Sequence, residues 1–262
     1  MMISRRALIC GTLVAISACG AGGSSSGGAP PLVVSTAISV ADALRRAADE
    51  FERSGGPTVV LNVGGSDTLA TQLLGGARVD LFVSADTRQM GRVEAGGGIL
   101  TPTRVNLFTN QLVVITHVDD VGIVSEPSDL AGERVRRIAM GDPDAVPAGV
   151  YARQFLRTVG LWRAVQTKVA PTRDVRAALA AVSAGNADVG LVYRTDIALA
   201  EDVEMAFAIP IDAGPPIRYV AAVTSDTTQE AAARRLLAFL LTDTARQIFE
   251  DAGFIALEDG SS

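Results

Sequence analysis

LVVSTAISVADALRRAADEFER, residues 32–53, divides into two halves. LVVSTA (32–37) is a short, nearly continuous apolar run of the kind that becomes a strand buried on both faces. From Ser39 the pattern takes the helical period: Val40, Ala43, Leu44, Ala47 and Phe51 fall on one stripe, with arginines and acids between them. A buried strand feeding an amphipathic helix is half of a parallel crossover unit, because a parallel neighbour is reached only after a long connection has carried the chain back.

The chain repeats this unit further on. PTVVLNV (57–63) precedes SDTLATQLLGG (66–76), and VDLFVSA (79–85) precedes a helix expected to begin near Asp86. TRVNLF (103–108) and QLVVITHV (111–118) then follow one another with little helix between them, which marks a first crossing into a second lobe. There the series resumes with a strand RRIAMG (136–141), a helix PAGVYARQFLRTVG (147–160), a helix from Thr172 to Ala184 and a strand ADVGLVY (187–193). IRYVAAVTS (217–225) and two helices from Thr227 to about Asp251 return to the first lobe. The prediction is an α/β protein of two lobes, 32–110 with 221–258 and 111–220, each a mostly parallel sheet flanked by helices, joined by two crossovers. Ligands of open α/β sheets sit beyond the carboxyl ends of the strands, so the cleft between the lobes is the expected site.

Composition removes several alternatives. With 262 residues, 48% hydrophobic and 20% charged, the chain is too apolar to be disordered. Lys plus Arg is 23 against Asp plus Glu 29, a balance of −6 that lacks the basic footprint of a nucleic-acid binder. One His and two Cys exclude a His/Cys zinc site, and no G-x-x-x-x-G-K-[ST] loop is present to hold ATP.

The opening residues are an export label. Arg5 and Arg6 precede an apolar run from Ala7 to Ala18, too short to span a bilayer and of the length of a signal-peptide core. Ile16-Ser17-Ala18-Cys19 resembles the bacterial lipobox, which makes residues 1–18 a lipoprotein signal peptide and Cys19 the lipidated residue; ordinary cleavage nearby is the alternative. GAGGSSSGGAPP (20–31) is too rich in Gly and Ser to hold one conformation, so 19–31 reads as a flexible tether. Loss of Arg5 and Arg6 takes Lys plus Arg from 23 to 21 and the net charge to −8, and loss of Cys10 leaves no free thiol for a disulfide. The expected location is the outer face of the cytoplasmic membrane.

Four strand-to-helix junctions stand out. Ser39 reads as an N-cap with Asp42 three residues on, Ser66 takes the same place after Gly64-Gly65, and Thr172 reads as an N-cap with Val175 as its third helical residue. Pro147 suits a first helical turn, leaving the amides of Ala148 and Gly149 among the unpaired donors of a helix start. Each alone is an ordinary helix start. Four of them facing one cleft would receive an anion without any cationic side chain. The remaining chemically suggestive residues have plain readings: His117 follows a strand, Asp80, Asp86, Asp142, Asp144 and Asp188 lie at turns or strand ends, and Trp162 follows a helix end as a packing anchor.

GDPDAVPAGVYA (141–152) is similar to the GDP-x-x-VPAG-x-Y signature of the periplasmic molybdate-binding proteins of ABC transporters. The likeness extends through AISVADAL (37–44), SDTLATQL (66–73), DLFVSADTRQM (80–90), APTRDVRAALA (170–180) and GLVYRTD (190–196), from Leu32 to about Leu257. The resemblance implies a type II periplasmic-binding fold that closes over one molybdate or tungstate dianion. It carries the ligand role onto Ser39, Ser66, Ala148, Val175 and Tyr193, and it implies no cofactor, no metal-cation ligands, a monomer, and an ABC permease with its cytoplasmic ATPase as partner.

Hydroxyls of Ser39, Ser66 and Tyr193, with amides at Ser39, Ser66, Ala148 and Val175, would make about seven hydrogen bonds. At roughly 1.5 to 3 kcal/mol each, about 10 to 20 in gross terms, they leave a dissociation constant between micromolar and nanomolar once the costs of association are met. Asp67, beside Ser66, is expected to point outward; turned into the cleft it would repel the dianion. A receptor for sulfate or phosphate is the rival of the same class. An enzyme would need an acid–base or nucleophilic set in the cleft, and a transcription regulator a DNA-binding helix pair where the export label stands.

Overall fold

The computed structural model describes residues 30–212 and 214–257, so the signal peptide, Cys19 and nearly all of the tether lie outside the described residues. The chain runs β1 (Leu32–Ala37), α1 (Ala41–Arg53), β2 (Val59–Gly64), α2 (Ser66–Leu74), β3 (Leu81–Ser84), α3 (Thr87–Ala95) and β4 (Val105–Phe108). It then crosses to β5 (Leu112–His117), β6 (Ile138–Gly141), α4 (Pro147–Thr158), α5 (Trp162–Val165), β7 (Val169–Thr172), α6 (Val175–Ser183), β8 (Val189–Tyr193) and β9 (Val203–Ala208). It returns to β10 (Tyr219–Val223), α7 (Glu230–Leu240) and α8 (Asp243–Asp251).

Two five-stranded sheets result, in the orders β2-β1-β3-β10-β4 and β7-β6-β8-β5-β9. In each, one strand runs against the other four: β10 is antiparallel to β3 and β4, and β5 to β8 and β9. β1 is covered on both faces because its alternate residues meet different helices, and Leu32 and Val34 are fully buried. On one face of the first sheet Val34, Leu81 and Val83 join Ala43, Leu44, Ala47 and Phe51 of α1; on the other Phe82, Val220 and Ala222 join Leu69, Leu73, Met90 and Val93 of α2 and α3. Each such fully buried side chain contributes about 1.5–3 kcal/mol, which is why the continuous apolar strands sit at the centres of the sheets. Gly55, at φ 92°, takes the left-handed position just beyond α1 that ends the helix and turns the chain toward β2.

Three expectations change. Thr172 ends the strand β7 and caps nothing: its hydroxyl donates to Met140 O at 3.0 Å and Asp174 O at 2.8 Å, and the helix after it starts at Val175. No strand is expected between the helices at 147–160 and 172–184, yet β7 forms there, and its Pro171 is tolerated because β7 is an edge strand of its sheet. The whole of β10 pairs with β3 and β4, so Tyr219 and Val220 belong to the first sheet, and the second crossover lies before residue 219 rather than at 220.

Among the described residues no helix is long and apolar enough to cross a membrane.

Candidate functional site

The carboxyl ends of β1, β2 and β3 face those of β6, β7 and β8, and the lobes are closed on each other. Arg88, at the start of α3, donates to the carbonyls of Asp144 and Ala145 at 3.0 and 2.9 Å, and Gln89 Nε2 reaches Ala145 O at 3.2 Å. Asp42 on α1 pairs with Arg176 on α6 at 2.6 Å. A side chain in place of Gly65 would come within 3.5 Å of the Arg173 carbonyl, so backbone meets backbone across the mouth.

One small cavity is left between them. The volume open to the centre of a water molecule is about 20 Å³; adding the water's own ~1.4 Å gives a hollow of roughly 3 Å radius, room for one small ion. Ser39, Ser66, Ala148, Val175 and Tyr193 all line it, with Ile38, Gly65, Ala85, Pro147 and Asp174 among their neighbours. Two larger hollows, of about 700 and 490 Å³ by the same measure, lie along β4 and α8 and beside the interlobe connections, away from these junctions. Among the described residues no Lys or Arg lines the small cavity.

Local structure makes each of the five a donor. Ser66 is not the N-cap that the sequence suggests but the first residue of α2, with Gly65 as the N-cap, so its amide has no intrahelical partner. Its Oγ accepts from Ala85 N–H at 3.0 Å, which leaves the hydroxyl proton available to the cavity. Ser39 sits in a 3₁₀ turn, Ile38–Val40, that leads into α1, and its Oγ is 2.8 Å from the Tyr219 phenol oxygen rather than bonded to the helix. It is therefore not the N-cap that the sequence suggests.

Pro147 takes the first position of α4 and puts Ala148 second, with no side-chain cap competing for its amide. Gly149 permits this: a Cβ there would meet Gly141 O at 1.9 Å, so only glycine lets the helix start so close to the end of β6. Asp142 shapes the approach, its carbonyl accepting from Ala145 and Val146 N–H at 3.2 and 2.9 Å and its carboxylate from Asp144 N–H at 2.8 Å.

Val175 is the first residue of α6, two helical positions earlier than a Thr172 cap would place it. The N-cap is Asp174, whose Oδ1 accepts from Ala177 N–H at 2.8 Å and whose Oδ2 lies 3.4 Å from Arg173 Nε. This carboxylate, the one acid on the lining, is thus spent on the helix and leaves the Val175 amide free. Tyr193 is 1% exposed, its hydroxyl has no protein partner among the described residues, and burial raises its pKa well above the ordinary phenol value. It keeps its proton and needs an acceptor.

Asp67 does not line the cavity; its Oδ1 is buried against Gly65 at the first turn of α2. The other acids are structural. Asp80 accepts from Val33 N–H and Thr227, Asp188 from the amides of Arg136 and Arg137, and Asp86 caps α3 through Gln89 N–H. His117 Nδ1 accepts from Asp119 N–H, and Trp162 packs at the edge of the core. Among the described residues no cluster of three or more His, Cys, Asp or Glu could hold a metal ion. Sequence reasoning missed Ala85, Asp174 and Tyr219 as supports of the site. Asp174 had a local signal, an Asp three residues before Ala177 at a helix start; Tyr219 had none, because its partner is 180 residues away.

The model of bacterial extracellular solute-binding proteins matches residues 32–255. The chain belongs to that family. It is similar to the molybdate-binding protein ModA of Escherichia coli, 34% identical over 227 residues that cover 85% of this chain and 88% of that protein. It is also 32% identical over 226 residues, 86% of each chain, to a Bacillus subtilis protein named as a candidate substrate-binding lipoprotein of an ABC transporter. Among solved structures, the periplasmic molybdate-binding protein of Azotobacter vinelandii superposes with a TM-score of 0.76 at 25% identity, covering 87% of this chain and 100% of that one. The fold is the two-lobed α/β architecture of type II periplasmic-binding proteins, and this is a solute-binding protein, not an enzyme.

Proposed function

We propose that this solute-binding protein captures molybdate, and tungstate with it, in the cavity between its lobes and delivers the ion to an ABC permease driven by a cytoplasmic ATPase. Ser39, Ser66 and Tyr193 give hydroxyl protons, and Ser39, Ser66, Ala148 and Val175 give amides. The observation that carries this reading is an interlobe cavity the size of one small ion, lined by helix-start amides, two serine hydroxyls and the unpartnered Tyr193 phenol. Such a lining suits a fully deprotonated tetrahedral anion. Hydrogen phosphate would bring a proton that finds no acceptor, and sulfate, with shorter bonds, would leave donors unmet. A lysine or arginine would attract every anion alike, and among the described residues neither lines the cavity.

Titration calorimetry with molybdate, tungstate, sulfate and phosphate tests the assignment. Molybdate and tungstate should bind at micromolar or tighter levels and sulfate roughly a hundredfold more weakly; equal affinity for sulfate and molybdate rejects it.

The mature receptor is proposed to act as a monomer held to the outer face of the cytoplasmic membrane by lipid on Cys19. The lipobox-like ISAC and the Gly/Ser stretch behind it support this. Cys19→Ala should move the protein from the membrane fraction to the soluble one, and a variant that stays with the membrane contradicts the anchor.

A further inference from the structure

Asp67 sits half-buried in the first turn of α2, one residue beyond Ser66. Its Oδ2 lies 3.5 Å from Thr68 Oγ1, whereas its Oδ1 is shut off from water and has no hydrogen-bond partner among the described residues. Other acids around the cleft are provided for. Asp174 has the Ala177 amide and Arg173, Asp86 has the Gln89 amide with Arg88 Nε 3.9 Å away, and Asp42 has Arg176.

The unpartnered oxygen lies where the lobes touch. A Cβ on Gly65 would meet Asp67 Oδ1 at 2.7 Å and the Arg173 carbonyl of the second lobe at 3.5 Å. What the second lobe brings to this spot is therefore another acceptor. The Arg173 side chain, which could have supplied a proton, is exposed and turned to Asp174, Nε to Oδ2 at 3.4 Å. A carboxylate oxygen that loses water and finds no donor costs free energy. Parting the lobes withdraws the Arg173 carbonyl and gives the oxygen room for water, so the cost belongs to the closed form.

A second cost arrives with the ligand. A dianion held by the Ser66 amide and hydroxyl lies one residue from the Asp67 charge, and the two repel. Both effects act against the closed, loaded state. As a first-turn acid Asp67 also favours the α2 dipole, but that benefit is present whether the lobes are open or closed and does not offset them.

We propose that Asp67 opposes closure over the anion and so sets how tightly the ion is held and how readily it is given up. This rests on the oxyanion reading above. Asp67 then determines affinity without touching the ligand, as a charge that the closed form leaves unpaired.

Calorimetry and stopped-flow release with molybdate, on the full chain and on Asp67→Ala and Asp67→Asn, test it. Asp67→Ala should tighten molybdate about three- to tenfold, mostly by slowing release, with a smaller gain at high salt. Asp67→Asn should tighten it at least as much, because an amide of the same shape can donate to the Arg173 carbonyl. Without ligand, Asp67→Ala should melt no higher than wild type, since α2 loses its first-turn acid. Tighter binding without greater intrinsic stability is a result that a merely structural role would not give.

Unchanged or weaker binding in Asp67→Ala overturns the proposal. Arg173→Ala tests the opposite arrangement, in which the Arg173 side chain swings to Asp67 and clasps the lobes. It should leave molybdate within about twofold of wild type; a loss that vanishes in the Asp67→Ala background would reveal such a clasp and contradict the proposal. Sulfate is titrated beside molybdate. If the wild-type chain takes sulfate instead, the same variants are read with sulfate, so an error in the ligand and an error in the role of Asp67 are told apart.

Discussion

The first lobe meets the cavity with the hydroxyls of Ser39 and Ser66, whereas the second meets it with the amides of Ala148 and Val175 and a single phenol, although both lobes carry the same strand order with one strand reversed. The difference is one of what holds each donor in place. In the first lobe the hydroxyl donors are held by partners behind them, Ala85 N–H for Ser66 and Tyr219 for Ser39. In the second the amide donors are held by where a helix begins, through Pro147 and Gly149 at α4 and Asp174 at α6. Both lobes offer amides, but the first adds two hydroxyls and the second one phenol.

The largest expected effect is on stability and separates the lobes through the acids behind them. Asp86 in the first lobe accepts from Gln89 N–H and Ser84, beside Arg88. Asp196 in the second lobe accepts from Tyr193 N–H at 3.0 Å, while its other oxygen is buried without a partner. Burial pushes the Asp196 carboxyl up from the ordinary 3.8 to about 7, against the Tyr193 amide and the Arg176 charge, which favour ionisation. The folded protein therefore keeps a proton that the unfolded chain has lost. The stability this provides is whole below about pH 4 and is lost as the pH rises toward 7, by at most about 4 kcal/mol. Burial raises the Asp86 carboxyl as well, so thermal melts of Asp196→Asn from pH 4 to 8 should show a smaller decline than wild type, and a parallel pH dependence in the two would remove Asp196 as its source.

Next come the donors themselves. Ser66→Ala deletes a side-chain donor of the first lobe, and Val175→Pro a backbone donor of the second, at a first helical position that follows an extended Asp174 and so accepts proline. Each should weaken molybdate by about 1.5–3 kcal/mol, roughly ten- to a hundredfold. Val175→Ala keeps the amide and should move affinity less than about threefold. A silent Val175→Pro would mean that the second lobe does not bind through its backbone.

Smaller effects belong to closure. Arg88→Ala removes the grip of α3 on the loop that presents Ala148 and should speed molybdate release several-fold with little change in association rate. Arg176→Ala, which breaks a pair whose Asp42 side chain is more than half exposed, should cost less than about 1 kcal/mol and nothing at high salt. Stopped-flow release with each variant orders the two contacts, and equal effects would contradict the weight placed on the Ala145 carbonyl.

This contrast also explains what the sequence could tell. The two lobes and the four helix starts at the cavity were legible because each junction is local, an apolar strand and then Ser, Pro or a first-turn residue, whereas Tyr193 came only from the resemblance to the molybdate-binding family. Their supports were not. Tyr219 reaches Ser39 across 180 residues, β7 is disguised by Pro171, and β9 is an edge strand, VEMAFA, with no turn signal or continuous apolar run to mark it. The capping reading of Ser39 and Thr172 failed for one reason, that a hydroxyl near a helix start found a better partner elsewhere.

Anomalous diffraction at the molybdenum edge, from crystals grown with molybdate, measures the central claim directly. The account predicts one peak in the interlobe cavity, with oxygens within hydrogen-bond distance of the Ser39, Ser66 and Tyr193 hydroxyls and the Ala148 and Val175 amides. A peak elsewhere, or one held by a lysine or arginine side chain, would contradict it.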